Sequence, residues 1–555
     1  MQRIFILLSL LQFGWNGSAQ NFYLKISATS TIENRTIDSI GYNSKHPNTK
    51  SIIDETQIFS EKLTRLGFIE NEIVAYEKIN DSTFLCPMRL GKKTDFIHIY
   101  VGQNSALASL QLANNSNDTL TIPFNETESF LNQTLSKLER KGYSLAKLKL
   151  INFKKNKQAL VAELFIDPGK KRQLNDIVIK GYDKFPEGHK KNVRRLYKNT
   201  LFNQEILKKI HSDFEKFRFT NQTKYPEILF TKDTTKVYVY LEKSKPNKFD
   251  GFIGFSNDKK NNFTLNGYLD LLLVNNLNAG EALTLYWKSN GNEQKTFNIG
   301  IELPYLFKSP LGLKANLNIF KQDSTFQNTK TAIDIGYFFN YNTRMYLGYQ
   351  ATASSDIQNL NNSSLNDFTN SFWTSHFELV NFKNDDVLFP EKTKIDLKFG
   401  IGARNSNLSL NQQTFINADL KQVFLLDEKN SINIRSQNYY LQSNHYIVNE
   451  LARFGGINSI RGFNENSLPA HLFTSLLTEY RYKMASTLYI NTIIDYGHFK
   501  DQTTTSSGNL LGLGFGMGLL TKNGIFNLVY ATGSINDQAI KPSNAIVHIS
   551  FKSSF

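Results

Sequence analysis

The chain has 555 residues, 40 % hydrophobic and 20 % charged, which excludes a bundle of transmembrane helices, because each span needs about 20 consecutive apolar residues and nothing past the N-terminus supplies them. Its net charge of +15 is spread among acidic neighbours; Lys154-Lys155, Lys170-Lys171-Arg172 and Lys190 to Arg195 read as solvated surface, so nucleic acid is not an expected partner. With 43 Phe and 25 Tyr against 5 Met, the composition favours strands, where aromatic side chains pack well.

Residues 1–19 carry Arg3, an apolar run from Ile4 to Phe13 and then Gly17-Ser18-Ala19, the pattern of a signal peptide on an exported chain. From Gln20 to Asn247 short strands alternate with amphipathic helices in three small units, expected at residues 20–102, 103–172 and 173–247. In the first, Phe22 to Ala28 reads as a strand; Ile52, Ile53, Ile58, Phe59, Leu63 and Leu66 form a helical stripe ending at Gly67, and strands follow near 73–78, 83–90 and 94–101. The single Cys86, between Leu85 and Pro87, is expected as a buried small hydrophobe.

In the second unit Phe130, Leu131, Leu135 and Leu138 lie on a helix that stops at Lys141-Gly142-Tyr143, followed by strands Lys147 to Phe153 and Ala159 to Ile166. The third opens on Ile177-Val178-Ile179-Lys180-Gly181, continues with helices near 188–197 and 203–217, and closes with strands near 227–231 and 236–242. A repeated β-α-α-β-β unit is implied.

From 248 to 555 the helical period vanishes and apolar and polar residues alternate. Ile395, Leu397, Phe399 and Ile401 oppose Lys394, Asp396 and Lys398; Val547, Ile549 and Phe551 oppose His548, Ser550 and Lys552, and Phe555 ends the chain. Sixteen such runs start near 249, 263, 280, 294, 311, 329, 343, 370, 391, 413, 430, 471, 486, 509, 524 and 545. Alternation alone also fits a soluble sandwich, but an even number of antiparallel strands closes into a barrel without unpaired edges, as lipid requires. The fold expected is therefore α+β modules followed by an antiparallel transmembrane β-barrel of about sixteen strands.

Between the eleventh and twelfth runs stands Phe454-Gly455-Gly456-Ile457-Asn458-Ser459-Ile460-Arg461-Gly462-Phe463. It resembles the Arg-Gly-Phe/Tyr loop of the BamA/TamA superfamily of outer-membrane assembly factors, also called the bacterial surface antigen family, in which that loop folds back inside the barrel. Glu479 in Thr478-Glu479-Tyr480-Arg481, and Asp495 with Gly497 in Ile493-Ile494-Asp495-Tyr496-Gly497, match acidic positions of the family's next two strands. Leu66-Gly67-Phe68, Lys141-Gly142-Tyr143 and Ile177-x-Ile179-x-Gly181 look like elements of its periplasmic POTRA modules, and three modules before sixteen strands are similar to the TamA-type layout. Extra strand-like material between Thr94 and Leu112 departs from the pattern.

Parity along the strands places Glu479 and Asp495 on the inner face without the family name, so an infolded Arg461 would meet two carboxylates. Guanidinium favours such contacts through its planar fork. The expected loop lock is Arg461, Gly462, Phe463, Glu479, Asp495 and Gly497. The expected lateral seam is Phe252, Gly254, Val547, Ile549, Phe551 and Phe555, weakened on one side by Gly251 and Gly254.

No phosphate-cradling Gly-rich loop, His-Glu-x-x-His helix or Gly-x-Ser-x-Gly elbow occurs. No catalytic residue, metal or cofactor is expected; His498 reads as a barrel-rim residue, and a triad of Ser475, His471 and Asp495 has nothing to orient it. The resemblance implies an outer-membrane protein of a Gram-negative bacterium, its modules in the periplasm, that receives unfolded outer-membrane or secreted clients and inserts them into the lipid where the first and last strands part, alone or with assembly partners. Two-partner-type secretion through the lumen is the alternative; a passive porin or anchor would not need three modules and an infolded arginine.

Overall fold

The computed structural model describes residues 21–102, 118–156, 159–257, 263–290, 294–358, 365–383, 386–406, 410–522, 524–536 and 538–554, with the backbone alone at 252–257, 263–265 and 554. The signal-peptide reading, the expected material from 103 to 112 and Phe555 lie outside them. Two compact units result: Met1–Arg172 with Leu201–Glu205, and Gln173–Thr200 with Ile206–Phe555.

The first unit holds two sheets. In one, Phe22–Ala28 runs parallel to Thr83–Arg89, and the crossover between them carries helices Thr31–Ile40 and Thr49–Arg65. Ser30 caps the first through the Glu33 N–H at 3.1 Å and Asn48 the second through Ser51 at 2.9 Å, each satisfying a donor that the first turn leaves free. Leu24, Ile26, Ile52, Phe59, Leu63 and Cys86 form the core. Of the expected stripe Ile53, Ile58 and Leu66 are exposed instead, and Thr56 takes an inward position, because it lies one turn from Ile52 and Phe59. Gly67 has φ +104°, and a Cβ there would lie 2.3 Å from the Thr94 carbonyl oxygen, so chain reversal and close approach both require glycine.

The second sheet corrects the expected division at residue 102. Phe96–Tyr100 pairs in parallel with Ala159–Asp167 and antiparallel with Thr119–Pro123, so it opens the second module. Alternation identifies a strand but not its partner, and this partner stands about sixty residues away across a helical crossover. Lys147–Asn156 completes the sheet beside Ala159–Asp167, and helix Thr127–Arg140 covers it through Leu138.

The second unit begins with the third module. Asp176–Lys180 is parallel to Thr235–Lys243, Thr220–Phe230 flanks the latter, and helices Glu187–Tyr197 and Gln204–Glu215 lie between. All modules are POTRA-like in this sense: opening and closing strands pair in parallel around a helical crossover.

Sixteen antiparallel strands then form a closed barrel, each starting within three residues of the position read from the alternation. They run from Lys248–Asn257 to Ile546–Ser554 and are 9 to 16 residues long. Their faces invert those of a water-soluble protein. On Phe326–Asn340, Ile333, Ile335, Tyr337 and Phe339 are exposed, while Ala332, Asp334, Gly336 and Phe338 are buried. Trp373 is 73 % exposed, whereas Arg404 is 1 % exposed. An apolar exterior around a polar interior is stable only if the exterior meets lipid; no described helix is long and apolar enough to cross a membrane.

The third module packs on the barrel mouth through aromatic rings. His189 is fully buried with ring-centroid distances of 4.7 Å to Tyr305, 5.4 Å to Tyr341 and 5.2 Å to Phe219, and neither ring nitrogen has a hydrogen-bond partner. Burial, reinforced by the nearby Arg344 charge, pushes its pKa down to about 3. Asn192 Nδ2 donates to the carbonyls of Ser309 at 3.1 Å and Lys308 at 3.3 Å on a barrel turn, and Asn275 Nδ2 donates to the Tyr182 hydroxyl at 2.9 Å.

Candidate functional site

The chain between strands Asn430–Gln442 and Leu472–Ala485 turns into the lumen. Gly455, Gly456 and Gly462 take φ of +100°, +99° and +86°, a region open to glycine at little cost, and Ala452–Phe454 pairs with Leu468–Ala470 to stiffen the base. The Phe454 ring stacks on Phe473 at 3.9 Å, and Ile460, Leu468 and Leu477 complete an apolar collar.

Arg461 projects from this loop. Its backbone N–H and Nε both donate to Asp495 Oδ2, at 3.0 and 2.7 Å, and Nη2 donates to Oδ1 at 2.5 Å. Nη1 donates to Glu479 Oε1, and Arg481 Nε donates to Glu479 Oε2 at 2.7 Å. Two guanidinium groups thus balance two carboxylates. Asp495 is 0 % exposed and Arg461 5 %, a burial that ions tolerate only when paired and saturated with hydrogen bonds.

The loop backbone fits because the wall beneath it lacks side chains. Asp495, Gly512 and Gly533 are direct partners across three strands. A Cβ at Gly512 would lie 2.3 Å from the Arg461 carbonyl oxygen, and one at Gly533 would lie 2.6 Å from that of Gly462 and 2.8 Å from the Phe463 ring. At Gly497 the approach is looser, a Cβ there lying 3.1 Å from the Thr474 carbonyl oxygen and 3.2 Å from Ile460 Cδ1. The residues of the expected loop lock are therefore brought together, on a floor of Gly512 and Gly533 that the sequence reading missed. Alternate glycines at 512, 514, 516 and 518 were the available signal.

Further anchors spread around the wall, and these too were missed. Glu450 pairs with Arg404 at 2.5 Å and accepts from Gln413 at 2.9 Å; Asn449 donates to Ser354 Oγ and the Asn366 carbonyl, each at 2.7 Å. Glu465 binds Lys288 and accepts the Tyr286 hydroxyl at 3.1 Å.

The seam contrasts with its neighbours. The closing strand pairs with Gly524–Ile535 at eight positions and the first strand with Phe263–Val274 at ten, but among the described residues the two meet each other only at Lys248–Ser554 and Phe249–Ser553. Beyond those pairs the Phe551 N–H donates to Asp250 Oδ1 at 3.3 Å, and the Tyr268 hydroxyl donates to the same oxygen at 2.7 Å. The expected seam residues lie on the two facing strands, and each pairs only on its far side among the described residues. Phe252 and Gly254 pair with Tyr268 and Asn266 of the second strand, and Val547, Ile549 and Phe551 with Tyr530, Leu528 and Phe526. All five flank the unpaired stretch between the first and closing strands.

The remaining chemistry-bearing residues are engaged elsewhere. Ser475 donates to the Gln437 carbonyl at 3.3 Å, His471 packs on the Tyr446 ring, and His498 Nδ1 lies 2.9 Å from Asn509 Oδ1. His376, Glu378 and Asp396 gather in the lumen, but Lys314 and Arg344 already hold Glu378.

No family model matches the chain and no curated protein does. Among solved structures it is similar to CdiB from Acinetobacter baumannii, at 15 % identity over 82 % of this chain and 88 % of that one, with TM-score 0.52. CdiB from Escherichia coli follows at 13 % identity, 90 % and 97 % coverage and TM-score 0.51, and BamA from Haemophilus ducreyi lacking POTRA domains 1–3 at 14 %, 82 % and 98 %, and 0.46. The likeness is one of fold, a closed barrel preceded by POTRA-like modules, and it rests on the two CdiB structures.

Proposed function

We propose that this chain is an outer-membrane assembly factor of the BamA/TamA type, without enzymatic activity or cofactor, whose periplasmic modules receive unfolded clients and whose seam admits their strands to the lipid. The seam carries this reading. Lipid offers no hydrogen bonds, so each unpaired backbone group on the facing edges needs a partner. Asp250 supplies one, and an incoming client strand would supply the rest without demanding a fixed sequence.

The alternative, two-partner-type secretion through the lumen, requires the loop to leave its place. That means parting Arg461 from Asp495 and Glu479, Glu450 from Arg404 and Glu465 from Lys288. With Cys86 replaced by Ser, cysteines at Phe249 and Ser553 should crosslink and lock the seam. The locked protein should lose insertion of barrel clients into liposomes, and insertion should return on reduction. Full activity in the locked state would sink the seam route; loss of one secreted protein on tethering the loop instead would establish the lumenal one.

A further inference from the structure

We propose that helix Glu187–Tyr197 of the third module binds anionic phospholipid headgroups at the rim of the barrel through Lys191, Arg195 and Lys198. Lys191 and Arg195, at i and i+4, share one helix face, and Lys198 follows as the C-cap; all three side chains are exposed while His189, Asn192, Val193 and Tyr197 are buried. Neighbouring cations are already engaged, Lys190 by Glu187 at 3.0 Å and Arg194 by Asp176 at 2.9 Å. Among the described residues Lys191, Arg195 and Lys198 have no carboxylate partner, and they line one open hollow of about 570 Å³ with Asn175 and Asp176.

The position of this face argues for lipid. Arg195 Nη1 lies 3.5 Å from the Tyr337 hydroxyl, and Tyr337 stands on the outward face of its strand, its ring 5.2 Å from that of Phe339. Asn192, on the same helix, holds the barrel turn whose Phe307 is 96 % exposed. Aromatic rings at the edge of an apolar wall mark the headgroup level of a bilayer, where three unpaired cations meet lipid phosphates. An acidic polypeptide in water would account for the charges but not for Phe307, Tyr337 and Phe339 beside them. The inference rests on the lipid-facing wall and not on the route of a client.

The test uses the full chain in neutral detergent, with phosphatidylglycerol or phosphatidylcholine added and bound lipids counted by native mass spectrometry. The wild type should retain phosphatidylglycerol in preference. At about fivefold per cation, the Lys191→Gln/Arg195→Gln/Lys198→Gln variant should bind it about a hundredfold more weakly. Phe307→Ser should weaken both lipids without changing their ratio. Unchanged heat-modifiable gel migration checks the fold, and Arg195→Gln alone, with about a fivefold loss, serves if the triple variant fails to fold. Equal retention of both lipids by the wild type, or unaltered retention by the folded variant, overturns the proposal. So does displacement of the lipid by millimolar inorganic phosphate or by an acidic peptide, which would mean a site for soluble anions.

Discussion

Arg461 and His189 are both nitrogen-bearing side chains buried against the barrel, and the means of burial are opposite. Arg461 keeps its charge and meets Asp495 and Glu479 with donors directed at named oxygens. His189 has no hydrogen-bond partner for either ring nitrogen among the described residues and lies among Phe185, Phe217, Phe219, Tyr305 and Tyr341. A planar fork admits one docked geometry for the loop. Ring packing is less directional and derives mainly from apolar area removed from water, so the module's joint tolerates small rotations but not a charge.

The largest expected effect breaks the ionic joint. Asp495→Ala leaves Arg461 with half its acceptors, and removing one partner of a buried pair costs about 3–5 kcal/mol. New protease cleavage between Gly455 and Phe463 should report the loosened loop. The Arg461→Ala/Asp495→Ala double variant should be little worse than either single one, and Arg461→Lys should rescue only in part. Strictly additive losses would separate the two residues energetically.

Acid should weaken the aromatic joint. Buried His189 titrates at about 3 against about 6.5 when free, so the docked module binds fewer protons than the undocked one. The joint is at full strength above about pH 6.5 and loses about 1.4 kcal/mol per unit as pH falls toward 3, or about 2 kcal/mol at pH 5. Amide exchange at Phe217 and Phe219 should accelerate accordingly, and His189→Leu should flatten the slope. A slope that survives this substitution belongs to other groups.

The smallest effect lies at the seam, which has neither kind of joint. Across the seam Asp250→Ala removes one hydrogen bond, worth about 0.5–1.5 kcal/mol, along with the one it accepts from the Tyr268 hydroxyl of the neighbouring strand, and should speed exchange of the Phe551 amide while leaving loop cleavage unchanged. Altered cleavage would mean that seam and loop are coupled.

What the sequence made legible follows from range. Strands of the barrel announce themselves by a local period of two, so their starts were read closely, and the inward parity of Glu479 and Asp495 was available from neighbours alone. Helix Thr31–Ile40 was missed although Ser30 and Glu33 spell its cap. The partner of Phe96–Tyr100, the register of the seam and the meeting of Glu450 with Arg404 depend on residues tens to hundreds of positions apart, for which no local pattern exists. The floor of Gly512 and Gly533 was visible as composition, but its use required knowing what lies upon it.

The infolded loop and the seam differ in how much chain must be gathered to make them. Arg461 and Asp495 are 34 residues apart, Asp250 and Phe551 301. Closing the longer segment costs about 2 kcal/mol more in chain entropy. The loop can therefore settle on its strands while the ring is still an open sheet, and chain entropy makes the seam the last contact to form. During that interval the strands carrying Gly512 and Gly533 would already be covered on their inner side, leaving the free edge of the closing strand to wait for the first strand or for a stranger. Pulse-labelled hydrogen exchange during refolding into detergent should protect the Arg461 amide before that of Phe249.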